Sequence, residues 1–139
     1  MDANSAHELS NRTLDGLPVL RWLLDPKRRA ALILGRKLAR ELDKAGLGTT
    51  LVELNRAGRL HRVVDDMLER HEEELKARAS CVSDDPHVVA LTLMTGCTLV
   101  FTKDRRLHKD LKSHSRPGRR VAIYQKASHA RLLTSCDCM

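Results

Sequence analysis

Two carboxylates bracket the most apolar part of the chain. Asp85 precedes the apolar run that begins at Pro86, and Asp104 follows the next apolar run, which ends at Phe101. Carboxylate oxygens are the hard ligands that Mg²⁺ prefers, and a few of them suffice because the ion keeps several waters. Asp84 is a further candidate ligand or a solvated side chain. The spacing therefore predicts a metal site, if the two aspartates meet in the fold.

Helix capping is the alternative explanation for both aspartates. Asp is a favoured N-cap residue, and replacing such a cap typically costs about 1 kcal/mol. A capping carboxylate keeps one oxygen free, so Asp85 and Asp104 can cap a helix and bind a metal together. An unrelated α/β domain in which these residues only cap helices therefore stays open at this point.

The apolar pattern predicts helices that alternate with short strands. Pro86 suits the first turn of a helix, and Gly96 suits its end. The predicted helices cover residues 17–24, 36–45, 49–57, 65–78, 86–95 and 105–112, and the predicted strands cover residues 30–34, 60–64, 98–101 and 121–124. This order predicts an α/β fold with a mostly parallel sheet.

The predicted elements place the two aspartates at the same edge of that sheet. In an open parallel sheet, ligands bind outside the carboxyl ends of the strands, and Asp104 directly follows one strand. Asp85 begins the helix that leads into this strand. A helix of about 11 residues at about 1.5 Å per residue is roughly as long as the strand layer is deep. We therefore expect Asp85 to return to the edge at which Asp104 lies.

The segment from Asp85 to Asp104 reads D-x-x-V-V-A-L-x-x-x-x-G-C-x-L-V-x-T-x-D, and it resembles the C-terminal half of a PIN domain. Two further matches extend the resemblance over nearly the whole chain. Asp2 and Asn4 resemble the D-x-N that ends the first strand of that family. Glu41, in KLARELDKA, lies on the middle helix, where the family keeps its second acid.

The resemblance implies a three-layer α/β fold with a mostly parallel central sheet over residues 1–126, followed by a C-terminal tail over residues 127–139. It also implies a metal-dependent endoribonuclease that hydrolyses phosphodiesters of single-stranded RNA. The implied ligands of Mg²⁺ or Mn²⁺, which are also the implied catalytic residues, are Asp2, Glu41, Asp85 and Asp104. Asn4 and Thr102 are implied as supporting residues that hydrogen-bond to these acids.

Several alternatives accompany this interpretation. Glu41 could belong to a solvated helix face, and His87 is interpreted as a surface residue in the first turn of its helix. The family's first strand precedes D-x-N by several apolar residues, whereas only Met1 precedes Asp2 here. This observation favours the alternative function, a catalytically weak or inactive PIN-like module that binds nucleic acid or another protein.

The positive charge of the chain is concentrated near Asp104. The net charge is +7, and residues 103–120 contain eight Lys or Arg against two Asp. Such a basic face suggests nucleic acid as a partner, although a solvated surface loop is the plainer explanation. Trp22, Tyr124 and Phe101 are the only aromatic residues, so RNA would be bound mostly through its phosphates. The expected phosphate contacts are Lys103, Arg105, Arg106 and Lys109.

The remaining expectations concern size, location and partners. A chain of 139 residues suits one domain, and its longest uncharged stretch, residues 86–102, is interrupted by polar residues and Gly96. The N-terminus lacks the pattern of a secretory signal, so we expect a cytoplasmic protein with reduced thiols. The expected partners are single-stranded RNA, a cognate antitoxin-like protein as in toxin–antitoxin pairs, and a second copy of the chain in a homodimer.

Overall fold

The computed structural model describes residues 1–63 and 66–135, which form a mixed α/β structure. The strands are β1 (Leu32–Gly35), β2 (Leu60–Val63), β3 (Leu99–Phe101) and β4 (Ala122–Tyr124). The helices are α1 (Ala6–Ser10), α2 (Leu17–Leu24), α3 (Arg36–Leu42), α4 (Gly48–Arg56), α5 (Asp66–Ala77), α6 (Pro86–Thr95), α7 (Arg105–Ser113) and α8 (Arg131–Ser135). Short 3₁₀ helices cover Ala3–Ser5 and Ala127–His129, and a π-helical turn, Asp43–Leu47, joins α3 to α4.

The four strands form two parallel pairs instead of the single sheet that the sequence predicts. Strand β1 pairs with β2, with Leu32 opposite Leu60, and β3 pairs with β4, with Leu99 opposite Ala122. A small cavity of about 70 Å³ is lined by apolar side chains of both pairs and by Met1. The apolar runs thus predict each strand correctly, but they do not determine which strand edges join.

The first residues of the chain extend the free edge of β3. The backbone N–H of Asp2 donates a hydrogen bond of 3.1 Å to the carbonyl of Phe101, the last residue of that strand. Asp2 is fully buried, and its side chain accepts a hydrogen bond from the N–H of Ser5 at the start of the chain's first 3₁₀ helix. These bonds hold Asp2 directly beside the carboxyl end of β3.

Helix α6 is buried on nearly all sides, as its continuous apolar sequence predicts. Pro86 occupies its first turn, and Gly96 ends it in the left-handed conformation with φ of 67°. A Cβ atom at Gly96 would also lie 2.9 Å from the guanidinium of Arg119, so this position suits glycine on both counts. The helix therefore begins and ends where the sequence predicts, with Asp85 directly before it.

Helices α3 and α5 pack close to the end of β1. A Cβ atom at Gly35 would lie 2.6 Å from Cδ2 of Leu68, so glycine lets α5 approach the strand end. Glu72 of α5 is nearly buried, and it accepts from Lys37 of α3 at 2.8 Å and from Lys76 at 2.9 Å. These contacts fix α3, and with it Glu41, against the rest of the core.

Part of the predicted C-terminal tail packs on the domain. Residues 127–135 form two short helices, and Leu133 is buried in the same core as the strands. The hydroxyl of Tyr124 donates to the backbone carbonyl of Asp15 at 2.7 Å, and the N–H of Ala127 donates to the carboxylate of Asp15 at 2.9 Å. The last four residues of the predicted tail lie outside the described residues.

None of the helices described is long and apolar enough to cross a bilayer.

Candidate metal centre

Asp85 does not cap α6 with its side chain. Its backbone carbonyl accepts from the N–H of Val88 at 3.0 Å, while its carboxylate makes no capping hydrogen bond. The side chain is half-buried. Capping therefore does not explain the aspartate at this position, and its carboxylate is available for a ligand.

Glu41 and His87 form a direct side-chain contact between α3 and α6. His87 is only 4% exposed, and its Nε2 lies 2.8 Å from Oε2 of Glu41, although the two residues are 46 positions apart. The interpretation of His87 as a surface residue is therefore wrong. The physical reason is that α6 is buried from its first turn, so the imidazole points into the protein and reaches α3.

Glu41, Asp85 and His87 each offer a ligand atom, and these atoms all lie within 4.8 Å of one another. Ligands of one Mg²⁺, bound at about 2.1 Å, are up to about 4.2 Å apart. A small contraction would therefore bring the two carboxylates to one ion, while Nε2 of His87 stays on Oε2 of Glu41. Carboxylate oxygens suit both Mg²⁺ and Mn²⁺.

Asp2 and Asp104 are joined through the hydroxyl of Thr102. This hydroxyl donates to Oδ2 of Asp2 at 2.6 Å and accepts from the N–H of Asp104 at 3.1 Å. Asp104 caps α7, because its Oδ1 accepts from the N–H of Arg106 at 2.8 Å. The carboxylates of Asp2 and Asp104 thus both accept hydrogen bonds that hold the local fold. Thr102 is one of the two residues that the resemblance implies as supporting residues.

The other three acids implied by the resemblance are within electrostatic range of Asp85. Burial raises the pKa of the Asp85 carboxyl, and the negative charges of Asp2, Glu41 and Asp104 raise it further, while His87 acts in the opposite direction. A cation at this place would relieve the repulsion among the carboxylates. The arrangement is therefore chemically suited to a divalent metal.

Asn4 lies at the surface, and Lys103 of the basic cluster is paired with acids outside the candidate metal centre. Asn4 is exposed, and its backbone carbonyl accepts a hydrogen bond of 2.9 Å from Nδ1 of His7. Lys103 lies between Glu8 at 2.7 Å and Asp15 at 2.8 Å, and these bonds, first that of Asp15, raise the pKa of its amino group. The charge of Lys103 is thus already balanced within the protein.

The other three members of the basic cluster are exposed. Arg106 forms an ion pair of 2.9 Å with Asp84. Arg105 and Lys109 have no ion pair with any residue in the described ranges, so they remain the members of this cluster that are most open to phosphate.

Asp110 is a site residue that the sequence analysis missed. It is 2% exposed on α7, and its carboxylate accepts from the N–H of Val82 at 2.8 Å and from the N–H and hydroxyl of Ser83 at 2.9 and 2.5 Å. Burial by itself raises the pKa of the Asp110 carboxyl, but these hydrogen bonds outweigh it and lower the pKa. Asp110 thereby ties the loop that carries Asp85 to the helix that Asp104 caps.

We expect His87→Ala to weaken Mn²⁺ binding by about 10- to 100-fold, because partners that orient a ligand typically contribute that much. Nε2 of His87 lies against Glu41, so its loss frees the carboxylate to rotate away from Asp85. Isothermal titration calorimetry with Mn²⁺ measures the effect. His61→Ala, at an exposed position of β2, serves as the matched control. Equal affinities in the two variants would contradict the role of His87.

No family model, curated protein or solved structure matches this chain. The functional interpretation therefore rests on the geometry of Glu41, Asp85 and His87, and on the acids that surround them.

Proposed function

We propose that the chain is a metal-dependent endoribonuclease of the PIN type, which hydrolyses phosphodiesters of single-stranded RNA with Mg²⁺ or Mn²⁺. The observation that carries the proposal is the meeting of Glu41, Asp85 and His87, whose ligand atoms all lie within 4.8 Å of one another. Glu41 comes from α3, whereas Asp85 and His87 lie at the start of α6, and neither capping nor core packing accounts for the free carboxylate of Asp85. The electrostatic coupling of Asp85 to Asp2 and Asp104 supports a larger site.

Each residue has a distinct role in this proposal. Glu41 and Asp85 would hold the metal, and Asp2 and Asp104 would bind it or its waters through the lone pairs that their structural bonds leave free. His87 donates to Glu41 and keeps that carboxylate turned toward Asp85. A bound metal would supply an activated water and would neutralise charge that develops on the phosphate.

A three-layer PIN-like fold belongs to the same proposal. The parallel pairing within each strand pair supports it, and so does the hydrogen bond from Asp2 to Phe101, which adds backbone to the free edge of β3. A cytoplasmic location, a cognate antitoxin-like protein and a homodimer are further parts of the proposal that follow from the resemblance alone.

An inactive PIN-like binding module is the second candidate function. It is favoured by the hydrogen bonding of Asp2, both of whose carboxylate oxygens already accept a bond from Ser5 or Thr102. In such a module these acids would stabilise the fold and bind no metal.

The test is cleavage of an end-labelled single-stranded RNA with Mg²⁺, with Mn²⁺ and with EDTA. We expect metal-dependent cleavage that falls by about 10²- to 10³-fold in Glu41→Gln, which is typical for loss of one group that stabilises charge in a transition state. Glu53→Gln, at an exposed position of α4, is the matched control and should cleave like the wild type. A folded protein that binds RNA but neither cleaves it nor binds Mn²⁺ would favour the binding module.

A further inference from the structure

A groove lined by arginines lies beside the metal centre, on a part of the surface that the sequence analysis did not single out. It is a cavity of about 540 Å³ at the carboxyl ends of β1 and β2, next to Gly35 and Val63. Helices α3 and α4 and strand β2 contribute its charged lining. We call it the arginine groove and define it by Arg36, Arg40, Arg56 and Arg62.

The positive charge of the arginine groove is largely uncompensated. All four guanidinium groups belong to exposed residues. Arg36 has a distant ion pair with Glu69, at 3.7 Å, whereas Arg40, Arg56 and Arg62 have no ion pair with any residue of the described chain. Asp43 is the single carboxylate among the described residues that line the cavity. The groove therefore presents free positive charge, as do Arg105 and Lys109 of the basic cluster, whereas Glu8 and Asp15 neutralise Lys103.

The arginine groove adjoins a second cavity that reaches one residue of the candidate metal centre. This cavity, of about 330 Å³, shares Gly35, Arg36, Arg40 and Val63 with the groove and is also lined by His87. It also carries the carboxylates of Glu69, Glu72 and Glu73, so of the two cavities the arginine groove is the one that suits phosphates.

We propose that the arginine groove binds the phosphates of single-stranded RNA on one side of the bond that is cleaved. The identity of this ligand rests on the proposed function. A guanidinium group can bind a phosphate through two parallel hydrogen bonds, and arginine is preferred for nucleic acids for this reason. An acidic protein segment is the competing ligand, but a groove beside a candidate metal centre for phosphodiesters favours RNA.

The groove binds RNA with little preference for base sequence. No aromatic side chain is among the described residues that line it, because Phe101 and Tyr124 are buried and Trp22 lines a different cavity. Base stacking, which contributes about 1–3 kcal/mol per base in many single-strand-binding proteins, is therefore not used here. Asn55 is the neutral side chain in the groove that can hydrogen-bond to a base edge.

The experiment measures binding in EDTA, so that it does not depend on cleavage. A fluorescein-labelled single-stranded RNA is titrated with the wild type and with Arg56→Ala/Arg62→Ala, and anisotropy is recorded at several salt concentrations. Arg21→Ala/Arg78→Ala removes the same charge at exposed positions outside both cavities and is the matched control. Circular dichroism verifies that all three proteins are folded.

We expect the groove variant to bind RNA about tenfold more weakly or worse, and the control to stay within about twofold of the wild type. The slope of log affinity against log salt should become shallower by about 1.4, since each phosphate contact on a single strand contributes about 0.7. Equal loss in the two double variants would overturn the proposal, because it would show a general effect of charge. RNA binding like the wild type, with loss of binding to polyglutamate, would also overturn it and identify an acidic protein as the ligand.

The outcome separates this proposal from the proposed function. Loss of RNA binding in the groove variant, in a protein that never cleaves RNA, would support the groove and contradict the nuclease. Metal-dependent cleavage with wild-type RNA affinity in the groove variant would support the nuclease and contradict the groove.

Discussion

Asp85→Asn is expected to abolish metal-dependent RNA cleavage while leaving the protein as stable as the wild type or more stable in EDTA. The loss of activity should reach about 10²- to 10³-fold, the usual effect of removing one group that stabilises charge at the reacting centre. The stability effect has a separate cause. The Asp85 carboxylate is disfavoured by burial and by the charges of Asp2, Glu41 and Asp104, and it makes no capping bond that its loss would break.

The RNA cleavage assay measures the loss of activity, and thermal melts with and without Mn²⁺ measure the stability effect and metal binding. A metal that binds only the folded state stabilises it by about 2.7 kcal/mol at a concentration 100 times its dissociation constant. The melting temperature of the wild type should therefore rise with Mn²⁺, and that of Asp85→Asn should not. A residue with only a structural role would lower the melting temperature in EDTA when it is replaced.

Asp84→Asn is the matched control for this prediction. Asp84 is the preceding residue, and its side chain is 85% exposed in an ion pair with Arg106. We expect this variant to keep both cleavage and the rise in melting temperature with Mn²⁺. If Asp84→Asn lost activity while Asp85→Asn kept it, the metal centre would be misassigned at its central residue.

Asp110→Ala is expected to lower the free energy of unfolding by about 3 kcal/mol, which is the second large effect. The side chain is buried and accepts hydrogen bonds from Val82 and from two groups of Ser83. Hydrogen bonds to a charged group contribute about 1.5–3 kcal/mol each, and their loss leaves buried donors without a partner. Chemical denaturation at pH 7 measures the change.

The contribution of Asp110 should also depend on pH. Its pKa is lower in the folded protein than in the unfolded chain, because the bonds from Ser83 and Val82 favour the carboxylate. The stabilisation is therefore fully present above the unfolded pKa of about 3.9 and is lost as the pH falls through the lower, folded pKa. The difference in stability between the wild type and Asp110→Ala should shrink in that range of acidic pH.

Two further variants test whether the stability loss comes from the buried hydrogen bonds of Asp110 and not from the removal of a charge in this region. Ser83→Ala removes one donor and should cost about 1 kcal/mol. Asp84→Asn, in the same loop but exposed, should have little effect on stability. Since Asp110 anchors the loop before Asp85, Asp110→Ala should also weaken Mn²⁺ binding at temperatures at which the variant is folded. Unfolding curves that coincide for Asp110→Ala and Asp84→Asn would refute this role.

The sequence by itself determined the elements whose signals are local. Pro86 and Gly96 delimit α6 because proline fits a first helical turn and glycine fits a left-handed end, and both signals act within a few residues. Asp104 was recognised as a cap for the same reason, and the apolar runs located each of the four strands to within about two residues. The short, alternating elements also indicated the mixed α/β class.

Only the tertiary structure decided which of these elements meet. The contact of His87 with Glu41 and that of Thr102 with Asp2 join residues that are 46 and 100 positions apart, so no local pattern reveals them. The same applies to Asp110. Its position on a helix does not reveal that its carboxylate accepts a hydrogen bond from the loop before Asp85, because α7 meets that loop only in the folded protein.

The division of the strands into two pairs and the pairing of Lys103 with distant acids have the same origin. Hydrophobic pattern predicts that a segment is a strand, but pairing depends on which backbone edges come together in space. Likewise, a run of lysines and arginines predicts a positive surface only if no acid from elsewhere reaches it, and Glu8 and Asp15 do reach Lys103. Free positive charge lies also in the arginine groove, whose residues are dispersed along the sequence and gathered only by the packing of α3, α4 and β2.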